Sequence, residues 1–404
     1  MADDTKKCVP TEAKVRWNRE TVEEAIRYKV RETIEAILEE ELEAALGAGL
    51  SARVGDQRRG YRHGWRTRTL TTSCGPTTVE VPRARLRDGA RAVEWHSETL
   101  PRYQRRTARV DEAILGVYLA GGNSRRIRGA LAPLLRDGPL SKDAVSRLVG
   151  RLAEDFATWR ARDLADDQIR YLRLDGWYPK VRLGKRRVRV PVLVTMGVRA
   201  DGQRVLLDLR LVGDESTAAW RDVVQQLQGR RIGTPGLAVI DGNPGLPTAL
   251  REAWPGIAIQ RCTAHKLRNL TAKAPARLRE EVAEDYRRVI YAETVALAQQ
   301  RRATFLRKWR LQCPAVAESF EEAGDELFTF LRFPRSQWRA LRTTNALERI
   351  NEEFRRRTKT QASLPSQDAV LLLLFGLLRA GHIRVRKIDG WQEMPQRTAA
   401  AVAA

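Results

Sequence analysis

The 404-residue chain is poor in cysteine, histidine and methionine, with four, four and three of each, and only 6% of its residues are aromatic. Cys8, Cys74, Cys262 and Cys313 follow no regular spacing. That excludes a disulfide framework and fits a reducing, cytoplasmic compartment. Long apolar runs are missing too. The longest, Ala369–Leu378, falls far below the ~18 residues of a membrane span, and Met1–Val30 has no basic-then-apolar secretory start. The chain is also short of acid, with 50 Asp and Glu against 73 Lys and Arg, a net charge of +23. Such an excess calls for a polyanionic partner, most simply nucleic acid. Hydrophobic residues, at 43%, suffice for packed cores. The length predicts two or three domains.

Along the chain, residues 1–50 oppose the overall charge, at −4. Val22, Ile26, Val30, Ile34, Ile37, Leu38 and Leu42 recur every three or four residues, predicting one amphipathic helix. It either dimerises or packs on its own domain. Residues 51–106 form an arginine-rich segment without lysine, with a short strand expected at Thr77–Pro82. Arg62, Trp65, Arg66 and Arg68 are its candidate DNA contacts, since guanidinium groups suit bidentate phosphate or guanine contacts. A merely solvated basic surface is the alternative. Residues 107–168 show helical spacing broken by Gly, Asn, Ser and Pro, with Ser124 and Ser141 as caps. They resemble a helix-turn-helix, with Lys142 and Arg147 as candidate DNA contacts. The sequence thus predicts a mainly helical DNA-binding region, joined through Asp163–Ile169 to a second domain.

Residues 169–392 change texture. Strands are predicted at Tyr171–Tyr178, Arg189–Arg199 and Arg204–Val212, then a helix at Thr217–Leu227, then strands at Leu237–Ile240 and Gly256–Gln260. Three strands followed by βα units is the order of an α/β, ribonuclease-H-like mixed sheet with helices on its faces. An all-α insertion occupies about 270–340, before a helix at Ala346–Lys359 capped by Thr344 or Asn345 and an apolar helix at Leu364–Arg379. Residues 393–404 are predicted to be a disordered tail.

Three carboxylates stand out. Asp175 lies inside the first of these strands, where an isolated charge is costly to bury. Asp241 ends a purely apolar strand, and neighbouring strands would bring both to one sheet edge. A third acid from a crossing helix, Glu348, would complete a cage of oxygens suited to Mg²⁺ or Mn²⁺. Two such ions serve phosphodiester chemistry. Each acid also has a plainer explanation. A strand-end Asp before Gly often only forms a turn, and Glu348 could pair with Arg349 or Arg355, or yield its place to Glu352 one turn on.

Four motifs in order carry a resemblance. Leu174-Asp175-Gly176-Trp177-Tyr178 and Asp241-Gly242-Asn243-Pro244-Gly245-Leu246 look like the two Asp motifs of Mutator-type bacterial insertion-sequence transposases. Gln260-Arg261-Cys262-Thr263-Ala264-His265 resembles that family's Cys-x-x-His segment, and Thr343–Asn351 with Arg355–Arg357 its third-acid motif. Gly60–Arg66 and Leu100–Tyr103 match its amino-terminal region, so the likeness covers roughly residues 55–392. It departs at Gly176, where a larger residue is commoner, at Asn243-Pro244, and at Thr263.

The resemblance implies a DDE transposase with a ribonuclease-H-like core. Asp175, Asp241 and Glu348 map onto its metal-binding triad with two Mg²⁺ or Mn²⁺ ions. Its partners would be double-stranded DNA, both terminal inverted repeats and target, held by a homodimer or larger homo-oligomer near the bacterial nucleoid. Cys262, His265, Asn345, Asn351, Arg355 and Arg356 become site-orienting or DNA-contacting residues. A zinc site at Cys262 and His265 is not expected, because no second Cys/His pair has finger-like spacing. Trp338 is a candidate for stacking on a base, with core packing as its plainer role. The rival functions are a metal-dependent nuclease without strand transfer and a catalytically inactive DNA-binding regulator.

Overall fold

A computed structural model of the chain describes residues 19–52, 58–88, 91–136, 140–183, 185–360, 364, 366–381, 383 and 385–394. Most of the predicted tail thus lies outside the described residues. The chain divides into two compact units, one of Met1–Tyr118 with Gly122–Leu148 and one of Leu119–Gly121 with Val149–Ala404.

The first unit opens with α1 (Arg19–Leu46), followed by an antiparallel sheet of β1 (Gly60–Thr72), β2 (Gly75–Asp88) and β3 (Arg91–Glu94). This corrects the expectation of a single short strand at Thr77–Pro82, while helices still make up most of the regular structure of the region. Arginines occupy outward positions of β2, where Arg83, Arg85 and Arg87 are exposed while Ala84 is buried. A two-residue period built from Arg rather than Val or Ile escapes a count of apolar residues. The carboxyl half of α1 folds back on this sheet. Leu38 packs with Leu70, Val79 and Leu100, and Leu42 and Leu46 pack with Ala84 and Trp95. Towards its amino end the helix leaves Val22 and Ile26 exposed.

Four helices come next: α2 (Ala108–Leu119), α3 (Ser124–Ala130), α4 (Ala132–Leu135) and α5 (Lys142–Ala161). The cap of α3 is Asn123 rather than Ser124; its side chain accepts from the Arg126 amide. At the start of α5 the Ser141 hydroxyl accepts from the Ala144 amide at 3.1 Å.

The second unit is built on a five-stranded mixed sheet. Its elements are β4 (Ile169–Trp177), a side hairpin of β5 (Lys180–Leu183) and β6 (Arg186–Arg189), β7 (Val192–Arg199), β8 (Arg204–Leu211), α6 (Thr217–Gly229), β9 (Leu237–Ile240), α7 (Gly245–Ala253) and β10 (Ala258–Arg261). The sheet order is β10-β9-β4-β7-β8, with β4 central, parallel to β9 and antiparallel to β7. Both faces of β4 are covered, which is why the strand is buried almost throughout. Leu172 and Leu174 face Trp220, Val223 and Leu227 of α6 and Leu246 of α7. Tyr171 faces Phe330 and Leu341 on the other side. The β5–β6 hairpin was not expected from the sequence, because its basic residues again obscure alternation.

The all-helical segment is α8 (Thr263–Lys273), α9 (Arg279–Ile290), α10 (Val295–Gln312) and α11 (Pro314–Glu322), with its own core of Val282, Tyr286, Phe305, Trp309 and Phe320. The chain then returns through α12 (Trp338–Leu341) to α13 (Asn345–Thr360) and α14 (Asp368–Arg379). On α14, Phe375 meets Phe156 and Trp159 of α5 with ring centroids 5.2 Å apart in each pair. Among the described residues no helix is long and apolar enough to cross a membrane.

Candidate active site

The candidate site lies at the carboxyl ends of β4 and β9. These strands run parallel with Leu174 opposite Ile240, so the next residue of each is an aspartate, Asp175 and Asp241. Neighbouring strands stand only ~4.8 Å apart. Asp175 is buried, at 5% exposure. Burial pushes its pKa up to about 7; His265 pulls the other way, while Asp241, Glu215 and Glu348 add to the rise.

Asp241 is anchored by the turn at the end of its strand. Its Oδ1 accepts from the Asn243 amide at 3.0 Å, and Asn243 Oδ1 accepts from the Gly245 amide at 2.9 Å. The Asn243 Nδ2 also donates to the Glu215 carbonyl at 3.0 Å, tying the end of β9 to the loop before α6. Pro244, at φ −70°, suits the entry to α7.

Glu215 is the acid that the sequence motifs do not reveal. Its carboxylate accepts from Tyr178 Oη at 3.1 Å and Trp220 Nε1 at 3.2 Å. Burial and the nearby Asp241 raise its pKa against the pull of these hydrogen bonds. A Cβ at position 176 would overlap this carboxylate. With glycine beside Asp175, the Glu215 carboxylate can lie against the β4 backbone, and a larger side chain there would have to displace it.

Glu348 arrives on α13. That helix buries Leu347, Ile350 and Phe354, a three-to-four-residue stripe. Phe354 sets its edge against Trp177 of β4, centroids 4.6 Å apart at 85°. Glu348 is ion-paired with Arg268 of α8, and His265 Nε2 lies 4.0 Å from its carboxylate. The segment leading into α13 is pinned by three contacts. Fully buried Arg173 of β4 donates to the Ala340 carbonyl at 2.6 Å. The Thr263 amide and hydroxyl both donate to the Arg342 carbonyl, at 2.9 and 3.1 Å. The Thr344 amide and hydroxyl each contact Cys262 Sγ at 3.4 Å, with His265 Nδ1 3.5 Å from the same hydroxyl. Cys262 holds the His265 pKa up at about 9 through a hydrogen bond that outweighs desolvation.

A family model described as "Transposase, Mutator family" matches residues 4–386. The chain belongs to that family. This Mutator-family chain is 31% identical over 337 residues to the transposase for insertion sequence element ISRM5 of Rhizobium meliloti (strain 1021), covering 83% of this chain and 81% of that one. With the transposase for IS406 of Burkholderia multivorans it shares 34% over 329 residues, covering 80% and 82%. With the transposase for IS256 in transposon Tn4001 of Staphylococcus aureus it shares 27% over 333 residues, covering 81% and 82%. Among solved structures, a Drosophila P element transposase strand transfer complex aligns over 71% of this chain and 83% of that one at 11% identity and a TM-score of 0.30, too slight a likeness to carry an argument.

The oxygen donors of the Mutator-family chain are of the kind a hard divalent cation prefers, and Asp175 is buried among other acids with His265 as the group that favours its charge. Among the described residues, however, no three Asp, Glu, His or Cys side chains converge closely enough to hold a metal ion. Glu348 is instead ion-paired with Arg268.

The other predicted residues divide by surroundings. Asn351 is buried with Oδ1 unpartnered. Asn345, Arg355 and Arg356 are exposed, Arg356 pairing with Glu353 at 3.0 Å. Trp338, partly buried, packs edge-on to Phe330 and donates from Nε1 to the Phe333 carbonyl at 2.8 Å. In the first unit Arg62 turns to Glu39 and Glu43, and Arg68 donates to the carbonyls of Leu100, Pro101 and Gln104. Both guanidinium groups, expected on phosphates, are engaged by the protein itself. Trp65, Arg66, Lys142 and Arg147 are exposed.

Proposed function

We propose that the chain is a DDE DNA transposase that binds the terminal inverted repeats of its own element, cuts strands there with water, and joins the resulting 3′-hydroxyl to target DNA. Asp175, Asp241 and Glu348 are its triad and would hold two Mg²⁺ or Mn²⁺ ions. The carrying observation is the parallel β4–β9 register, which sets two aspartates side by side at one sheet end. Support comes from α13, which Phe354 and Trp177 place against the same strand. The strand order, with a helical insertion before α13, is read as ribonuclease-H-like.

Two bound cations would activate the attacking oxygen and stabilise the departing one. In cleavage, water adds to phosphorus and the bond to the 3′-oxygen breaks, leaving a 3′-hydroxyl and a 5′-phosphate. In transfer, that 3′-oxygen adds to a target phosphorus and one target 3′-oxygen leaves. No protein nucleophile is required. The three acids bind and orient, while Cys262, His265 and Thr344 fix the approach to α13. Arg66, Arg85 and Arg87 of the first sheet and Lys142 and Arg147 of α5, all exposed, neutralise phosphates. The active species is a homodimer or larger assembly, since two element ends must be held together.

Asp175→Asn, Asp241→Asn and Glu348→Gln should each abolish strand cleavage on an element-end duplex with Mg²⁺, while gel-shift binding to that duplex persists. Full cleavage by two of the three would remove the triad from this reading. Cleavage without joined products would identify a plain nuclease instead.

A further inference from the structure

We propose that the β5–β6 hairpin is a phosphate-binding ribbon that grips the backbone of duplex DNA beyond the carboxyl end of β4. This rests on the reading of the chain as an enzyme that acts on DNA.

Residues 180–189 hold six basic side chains, Lys180, Arg182, Lys185, Arg186, Arg187 and Arg189, and no Asp or Glu occurs between Asp175 and Asp201. The register gathers four of them. Lys180 stands opposite Arg189 and Arg182 opposite Arg187 in the antiparallel pair, so all four share one face. That face is exposed, while Val181 on the other side is buried. Like charges set directly opposite each other destabilise a strand pair, so this face costs the fold stability unless an anion joins it. Two rows of cations along two strands suit an extended polyanion better than a single small ion, and guanidinium groups take phosphate bidentately. The hairpin is also well placed. Trp177 of β4 pairs with Val192 of β7, and the Val190 amide donates to the Pro179 carbonyl at 3.0 Å. The ribbon therefore continues the β4–β7 pair past Asp175. Its β5 edge is tied to the chain between α13 and α14, where the Leu364 amide donates to the Arg182 carbonyl at 2.8 Å. A DNA backbone held on this ribbon lies at the sheet end that carries Asp175 and Asp241.

The test uses the full chain and a random-sequence duplex oligonucleotide in EDTA, with affinity read by anisotropy across a salt series. Arg187→Gln combined with Arg189→Gln should reduce the slope of log affinity against log salt by about 1.8. The same variant should melt no lower than the parent without DNA, because a repulsion is removed. Arg187→Lys combined with Arg189→Lys keeps the charge and should keep the slope. If Arg85→Ala in the first unit reduces the slope but the Gln variant does not, the ribbon is refuted and DNA binding stands. If neither reduces it, the reading of DNA as the partner is itself refuted. A slope reduced on duplex RNA but unchanged on duplex DNA would overturn the proposal as well. Should the Gln variant fail to fold, the parent protein decides. Bound duplex should protect Lys180 and Lys185 from acetylation, read by mass spectrometry, while exposed Lys29 stays reactive. Equal acetylation of Lys180 and Lys185 with and without the duplex would refute the ribbon.

Discussion

Leu174 and Ile240 are direct partners across the parallel β4–β9 pair, and the two aspartates next to them in the chain share one end of the sheet. The buried member, Asp175, has a pKa pushed up to about 7 by desolvation first and neighbouring acids next. An unfolded Asp titrates near ~3.9, so between these values the folded, metal-free chain binds the extra proton. Its stability must then fall as pH rises through that window. Asp175→Asn should therefore melt higher than the parent in EDTA at pH 8, with the difference vanishing towards pH 4. Parallel pH-melting curves would contradict the assignment.

Gly176 and Glu215 should be energetically coupled. Gly176→Ala forces the carboxylate from Tyr178 and Trp220 and should cost about 1–2 kcal/mol. In a Glu215→Ala background the same change should cost less than half as much. Urea denaturation of the four proteins in the cycle gives the coupling directly, and additive costs would mean the overlap does not matter.

Arg173 is a buried guanidinium on β4 whose pKa burial depresses to about 9, and its Nε lacks a partner. Replacing such a group with an apolar side chain of similar volume is often neutral or stabilising, whereas leaving a hole is not. Arg173→Met should raise the melting temperature, and Arg173→Ala should lose about 3–5 kcal/mol. Equal losses in both would show that the bond to the Ala340 carbonyl, not packing, governs stability.

The arginines of the first unit should separate into two groups. Arg85→Ala and Arg87→Ala remove exposed charges and should each reduce the slope of log affinity against log salt by about 0.9 on duplex DNA. Arg62→Ala and Arg68→Ala break contacts inside the fold. They should lower the melting temperature and leave that slope unchanged. Anisotropy titrations across a salt series distinguish the two groups.

Much of the second unit is legible in the sequence because its elements keep clean periods. Leu237–Ile240 is wholly apolar, and Trp220, Val223, Val224 and Leu227 repeat at helical spacing. The β1–β3 sheet and the β5–β6 hairpin are not, because Arg and Thr fill the outward positions and break any hydrophobic alternation. Among acids, Asp175 and Asp241 are conspicuous as charges set in apolar strands. Glu215 is not, since one acid ahead of a Ser helix cap looks like any other.

Chain order alone carries the family, the basic excess that calls for a polyanion, the succession of strands and helices in the second unit, and three acids worth suspecting. Periodicity, charge and motif are all properties of that order. Folding in three dimensions adds which acids share one sheet end, that Gly176 admits Glu215, that Arg268 engages Glu348, and which arginines are spent inside the protein. Those outcomes depend on register and on packing between segments remote in the chain, which local sequence does not encode.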